Sequence, residues 1–411
     1  MNKPLKIIII GAGIGGLTTA VALQHIGCTV EIYEQAPELR TRGSGLSVMS
    51  NASVALGTLG INLNLEHFGA PAKTFEIRTA GDRLLRRLPL AEVSAENGAA
   101  SVCISRQALQ QALLQQLPDI EVKVSARAVE INQSATGVSV KFADGREAQG
   151  DILIGADGIY STVRSLMQSS EPIRTADYIC WLAITRYQHQ QITPGYIVHY
   201  WGAGKRIGLI DIGGGEVYWW GTANMKDKQA RTWQGSNQDV ADFYQGWPNI
   251  VSDIILKTPS TDIIAVPAQD RPFSPHWGTG RITLLGDAAH PMLASLGQGA
   301  GMAMEDAAVL AHAIMQKADP IAALRFYEKT RIPRAEMMAN ASRSMSDIEQ
   351  EDRFFPRLKR DLALRLAPKS ALKQNIKSSL IFTLGQLRHD KTAIQSTSTN
   401  PVHTDTGSDH Y

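Results

Sequence analysis

The sequence predicts an α/β fold built on a parallel sheet with a dinucleotide-binding unit, interrupted by a second, mainly antiparallel sheet. Three observations predict it. Residues 5–34 read as strand, glycine turn, helix and strand. Two further buried-strand signals, Ile152–Ile154 and Arg281–Leu285, each end on an Asp next to a Gly. All seven Trp fall between Trp181 and Trp277, among alternating strand-like segments.

The first unit opens with Ile7, Ile8, Ile9 and Ile10 and runs into Gly11-Ala-Gly13-Ile14-Gly-Gly16. Gly11 permits a tight turn, Gly13 lets a diphosphate approach the backbone, and Gly16 lets the helix pack close on the strand. The helix N-terminus offers unpaired N–H groups and a positive dipole end to phosphate. Glu34 ends the second strand, about 20 positions on, where an acidic residue can accept from a ribose. A secretory leader fits poorly, because five glycines break the apolar run after Lys3 and Lys6, and the run is too broken for a membrane span.

Composition narrows the class. The 411 residues suggest two or three domains, and a net charge of +2 implies no polyanionic partner. Cys28, Cys103 and Cys180 are too few and too scattered for a disulfide framework, and read as reduced thiols in a cytoplasmic protein. The ten His lack ligand spacing, so no metal is expected, and no GxSxG elbow occurs.

After Glu34, Gly43 and Gly45 suggest backbone passing close to a ligand, and Asn51 opens a helix-like run. Residues 73–90 read as two strands about the Ala80-Gly81-Asp82 turn. Ser105 is an N-cap for a helix whose first turn holds Arg106, a cation at the wrong pole of the dipole unless it faces an anion. Strands recur at 121–124, 128–133 and 138–142, before Asp157-Gly158 at the carboxyl end of Ile152–Ile154, where open α/β sheets place ligands. The tryptophan-rich region either packs a core or lines an apolar pocket for a planar molecule. Further on, Gly286-Asp287-Ala-Ala-His290 leads to Gly297-Gln298-Gly299-Ala300, which puts bare backbone at a helix N-terminus able to hold negative charge. Helices are expected over 302–315, 321–346 and within 361–387, and a disordered tail over 391–411.

Taken together, Gly11 to Gly16 with Glu34, Arg106, Asp157-Gly158 with Arg164, and Gly286 to His290 through Gly299 resemble the single-component FAD-dependent monooxygenases. These are the aromatic hydroxylases built like p-hydroxybenzoate hydroxylase; the resemblance spans about residues 5–346. It is greatest to the branch holding urate hydroxylase, salicylate hydroxylase and zeaxanthin epoxidase. It implies a Rossmann-like FAD-binding domain assembled from 1–72, 98–178 and 278–390, with an inserted substrate domain from 73–97 and 179–277. It implies that Gly11, Gly13, Gly16 and Glu34 hold the ADP half of FAD, that Arg106 reaches its phosphates, that Ile14, Gln35, Gly45 and Val129 also bind the cofactor, and that Asp157 and Gly158 sit by the diphosphate. Asp287 would meet the ribityl chain, and Gly297, Gln298, Gly299 and Ala300 the flavin ring. Arg206 and Tyr218 would be the catalytic contacts to substrate.

The implied chemistry is reduction by NAD(P)H, bound transiently for want of a second fingerprint, then O₂ capture as a flavin C4a-hydroperoxide. One oxygen passes to a small aromatic or enolisable substrate. A flavin oxidase or dehydrogenase on the same fold is the alternative, distinguished by peroxide without oxygenated product. A non-catalytic binder is the other, distinguished by colourless protein. The departures from the group are Ala294 in place of a common Pro, Leu182 in place of an Arg, and Asp211 in place of a Pro. The Ala294 loop is expected to be looser for lacking that Pro.

Overall fold

The computed structural model describes residues 4–39, 44–167 and 171–384. The Arg40–Gly43 part of the glycine loop and the expected tail over 391–411 lie outside them.

Lys6–Ile10 is a central strand of a six-stranded sheet. It pairs in parallel with Thr29–Tyr33 on one side and Ile152–Gly155 on the other, and Ile282–Leu284 continues the parallel set. Ile7, Ile8 and Ile9 are fully buried, as an unbroken apolar run must be in a strand covered on both faces. The helix Ile14–His25 follows the glycine turn, and the long helix Gly299–Gln316 shares its core through Met302, Ala303 and Ala307. The segments 128–133, 138–142 and 147–150 do not join this sheet; they form a separate three-stranded antiparallel sheet.

The second large sheet has seven strands. Thr74–Thr79 and Leu84–Leu88 sit at one edge, and Thr74–Thr79 runs parallel to Tyr196–Trp201. Lys205–Asp211, Glu216–Asn224, Arg174–Arg186 and Ile264–Asp270 complete it antiparallel. Its two faces divide the aromatic residues by the period of two. Trp181, Trp219 and Tyr200 point to a side closed by three helices within 227–257, which the sequence reading did not anticipate. There the tryptophans are core, and Trp219 Nε1 donates to Thr258 Oγ1 at 2.9 Å. Register places Leu182, Arg206, Tyr218, Trp220 and His199 on the opposite side.

The chain closes with Pro320–Glu349, Phe354–Leu366 and Lys369–Leu380. Asp319 caps the first of these by accepting from Ala322 N at 2.9 Å, with Pro320 at its first position.

Candidate active site

The glycine turn is shaped by backbone approach. Gly11 has φ +103°, and a Cβ there would lie 2.5 Å from the Ala156 carbonyl oxygen. A Cβ on Gly16 would lie 1.9 Å from the Gly11 oxygen. Gly16 therefore serves helix–strand packing and does not itself line the cleft. Beyond the turn opens a cleft of about 450 Å³, bordered by Gly11, Gly13, Ile14, Glu34, Gln35, Arg106, Asp157, Gly158, Asp287, Gly299 and Ala300. Residues from six separated stretches thus meet in one place. Arg106 opens the helix Arg106–Leu114, capped by Ser105, and its Nη2 would stand 3.8 Å from a Cβ on Gly13. The cation is at the rim of the glycine turn, where a bound anion would answer its position against the dipole.

Two acidic residues organise backbone. Glu34 accepts from Ala12 N and Ala36 N, each at 2.9 Å, and so ties the second strand to the turn. Asp157 accepts from Thr162 N at 2.7 Å, Val163 N at 3.1 Å and Ser161 Oγ at 2.5 Å, which starts the helix Thr162–Met167. Burial raises its pKa against these bonds. Asp287 is different: its side chain is exposed to the cleft. Surrounding protein pushes its carboxyl up, and His290 and Arg106 pull it back only in part.

The Asp287 loop is held from behind by Arg164, already among the sequence motifs, and by Glu305, Asp306, Arg331 and Arg334, which no motif marks. Asp306 Oδ2 accepts from Gly286 N at 3.1 Å and lies 2.6 Å from His290 Nε2, so one carboxylate grips both ends of the motif. Arg164 Nη1 donates to the Ala288 and Ala289 carbonyls, at 3.0 Å each. Arg331 bonds Asp306 at 2.6 Å and Glu305 at 2.7 Å, and Arg334 bonds Glu305 at 2.6 Å. Asn51 Nδ2 joins Glu305 Oε1 to Gln298 Oε1, at 2.7 and 3.0 Å. Glu305 and Asp306 are fully buried. Burial drives Asp306 upward, but His290 and Arg331 outweigh it and hold it at about 2. Acid–base pairs 25 or more positions apart leave no local signal, and nothing in the sequence near Arg331 or Arg334 marked them as partners of Asp306 and Glu305.

Several expected positions lie off the cleft. Val129 has an exposed side chain, and its neighbour Ala128 lines the wall instead. Gln298 is buried and spends its Oε1 on Asn51. Gly297 (φ +62°) caps a 3-10 turn over Ala294–Leu296, and a Cβ there would meet Met49 at 3.3 Å. The loop expected to be loose is that turn: Gly297 N donates to Ala294 O at 3.0 Å, and Ser342 Oγ donates to the Leu293 carbonyl.

Gly45 lies beneath Tyr218, whose ring atoms would sit 2.4 Å from a Cβ placed there. Tyr218 belongs to an apolar cluster against which Met49, Leu182 and Trp220 pack. Met49 thus stands between the Gly297 turn and the aromatic face of the second sheet. Burial raises the Tyr218 pKa, so it is a neutral phenol. His199 stands edge-on between Phe75 and Trp220, with centroids at 4.6 and 4.7 Å. Burial and the Arg206 charge push it down to about 3, which leaves it a neutral imidazole. Arg206 is buried over Trp220, its Nη1 bonded to Glu349 and its Nε donating to Gln350 Oε1 at 3.0 Å. Arg206, expected as a contact to substrate, already carries a counter-ion in Glu349. Asp211 accepts from Gly195 N at 2.7 Å and Gly213 N at 3.2 Å; its departure from Pro is a loop tie.

A family profile described as an FAD binding domain matches residues 4–342. The chain belongs to this family of FAD-dependent monooxygenases. It is similar to an aurachin C monooxygenase/isomerase of Stigmatella aurantiaca, 34% identical over 93% of this chain and 100% of the relative. It is also similar to an FAD-dependent urate hydroxylase of Klebsiella pneumoniae, 32% identical over 84% of this chain and 90% of the relative. The solved structure of Klebsiella pneumoniae HpxO with FAD and uric acid superposes with a TM-score of 0.85, at 27% identity, over 92% of this chain and 96% of that one.

The monooxygenase uses FAD, with NAD(P)H as reductant. The site fits the cofactor on its own terms. Side chains are missing where Gly11, Gly13 and Gly158 expose backbone, and Arg106 faces the turn that would receive a diphosphate. The helix Gly299–Gln316 has no acid in its first turn to compete for its amides.

Proposed function

We propose that this monooxygenase inserts one oxygen atom into an uncharged planar ring that carries a hydroxyl or enolisable group. The observation that carries the reading is the pairing of Arg206 with Glu349 on an otherwise aromatic face. That pair leaves no net charge to attract a fixed anion, whereas Tyr218, His199 and Trp220 offer ring surface and neutral hydrogen-bonding groups.

Gly11, Gly13, Ile14, Glu34, Gln35 and Arg106 would hold the adenosine diphosphate half of FAD. Asp157, Gly158, Asp287, Gly299 and Ala300 would hold the remainder. Bound FAD supplies electron transfer from NAD(P)H and activation of O₂. Substrate, O₂, NAD(P)H and a proton give the oxygenated product, NAD(P)⁺ and water. The amides opening Gly299–Gln316 hold negative charge through the dipole and their unpaired N–H groups. Tyr218 orients the ring, Leu182 and Met49 exclude water, and Arg206 with Glu349 fixes the far wall. The 73–97 and 179–277 segments would serve as substrate domain against a nucleotide domain. The absence of any disulfide among the described residues suits a cytoplasmic enzyme.

The test is a screen of planar substrates for accelerated NAD(P)H oxidation, with products weighed by mass spectrometry. A gain of one oxygen is expected with neutral ring substrates. Peroxide formed in step with NAD(P)H, without such a gain, would overturn the reading in favour of an oxidase.

A further inference from the structure

A surface helix normally turns its apolar stripe inward. Phe354–Leu366 does the reverse. Phe354, Phe355, Leu358, Leu362 and Leu366 are 62, 78, 52, 52 and 69% exposed. At 3.6 residues per turn the five fall within one sector of about 120°. The inner side is mainly polar, with Leu364 as its apolar contact. Arg360 is buried over the Trp201 ring at 5.1 Å, bonded to Asp361 and to the Glu349 carbonyl. Arg86 donates to the Ala367 carbonyl at 2.7 Å, and Leu364 packs against the small cluster of Ile77, Leu85 and Trp201. The helix is thus fastened by its polar side and leaves its apolar side outward.

The helix's own exposed charges on that side have one sign. Lys359 and Arg365 are exposed at the edge of the stripe and within it, and among the described residues neither is in an ion pair. The helix's single acid, Asp361, is turned inward to Arg360. Two copies of this face would set cation against cation, so self-association is disfavoured. An anionic lipid surface complements it. Phenylalanine and leucine enter the headgroup boundary while Lys and Arg meet lipid phosphate and carboxylate. Among the described residues no helix is long and apolar enough to cross a membrane, so the mode is interfacial.

We infer that Phe354–Leu366 docks the enzyme on an anionic bilayer surface. This is independent of which ring the active site takes.

The experiment is co-sedimentation of full-length, FAD-loaded protein with phosphatidylcholine vesicles, with and without about one-third phosphatidylserine. Binding is expected with phosphatidylserine, weakened by salt. It should fall about tenfold in Phe354→Ser/Phe355→Ser and in Lys359→Glu/Arg365→Glu. Retained flavin absorbance in each variant confirms the fold, since these side chains touch neither cleft nor sheet face. Three results would overturn the inference: no sedimentation with phosphatidylserine vesicles, sedimentation untouched by both variants, or a wild-type dimer that ignores vesicles and becomes monomeric on substitution.

Discussion

Arg206 reaches across from the second sheet to Glu349, the last residue of the helix Pro320–Glu349, and both side chains are buried. Burial raises the Glu349 carboxyl and Arg206 opposes that rise. Removing one member of such a pair strands the other charge, at a cost of about 3–5 kcal/mol. Glu349→Gln should therefore lower stability to urea by that order while giving Arg206 a free charge. Benzoate, as an inhibitor, should then bind more tightly to the variant than to the wild type. Equal benzoate affinity in a folded, yellow variant would show that Glu349 does not set the charge preference.

Asp306 gives the acid limb of stability. Its folded pKa of about 2 lies below the ordinary carboxyl range near 4. The folded state binds fewer protons than the unfolded chain in that window. The contribution is complete above about pH 4 and is lost as pH falls toward 2, roughly 2 kcal/mol in all. Asp306→Asn should remove this part of the pH dependence, so wild-type and variant unfolding curves should converge on acidification. A constant gap between them from pH 5 to about 2 would contradict the assignment.

Flavin retention should separate two kinds of glycine-motif residue. Gly16→Ala places a Cβ 1.9 Å from the Gly11 oxygen, so the helix must move and FAD should be lost with the fold of the turn. Asp287→Ala leaves the backbone ties to Asp306 intact and removes one acceptor, worth about 1–3 kcal/mol. Titration of apoprotein with FAD should show a Kd weakened roughly 5- to 150-fold, with unchanged thermal stability of the apo form. Unchanged FAD affinity would remove Asp287 from the cofactor site.

Ala294 is placed to accept proline. It is exposed and opens the 3-10 turn, and Leu293 before it has φ −65° and ψ 152°. That extended conformation is the one a residue before proline adopts, and a first-turn N–H has no partner within its own turn. Ala294→Pro should stabilise by about 0.4–1 kcal/mol. By stiffening the wall against water it should also raise oxygenated product per NAD(P)H consumed. An equal or lower ratio, with normal FAD content, would show that the turn is already tight enough.

The amino-acid order by itself determined the nucleotide unit and its cofactor class. Strand, glycine turn, helix and acid lie within thirty-odd positions, and the steric need for Gly11 and Gly16 is local to them. It also marked Arg106, Asp157 and Asp287, because each stands where a strand ends or a helix starts. Tertiary structure alone decided what those residues lean on. Asp306 grips Gly286 and His290, and Glu349 neutralises Arg206, through pairs whose members are buried only once distant helices meet. It sorted Trp219 from Trp220, adjacent in sequence and on opposite faces, according to which face the helices of 227–257 cover. It also turned the apolar side of Phe354–Leu366 outward. Periodicity shows that a helix has an apolar stripe, but only the polar anchors at Arg360 and Arg86 set which way the stripe looks.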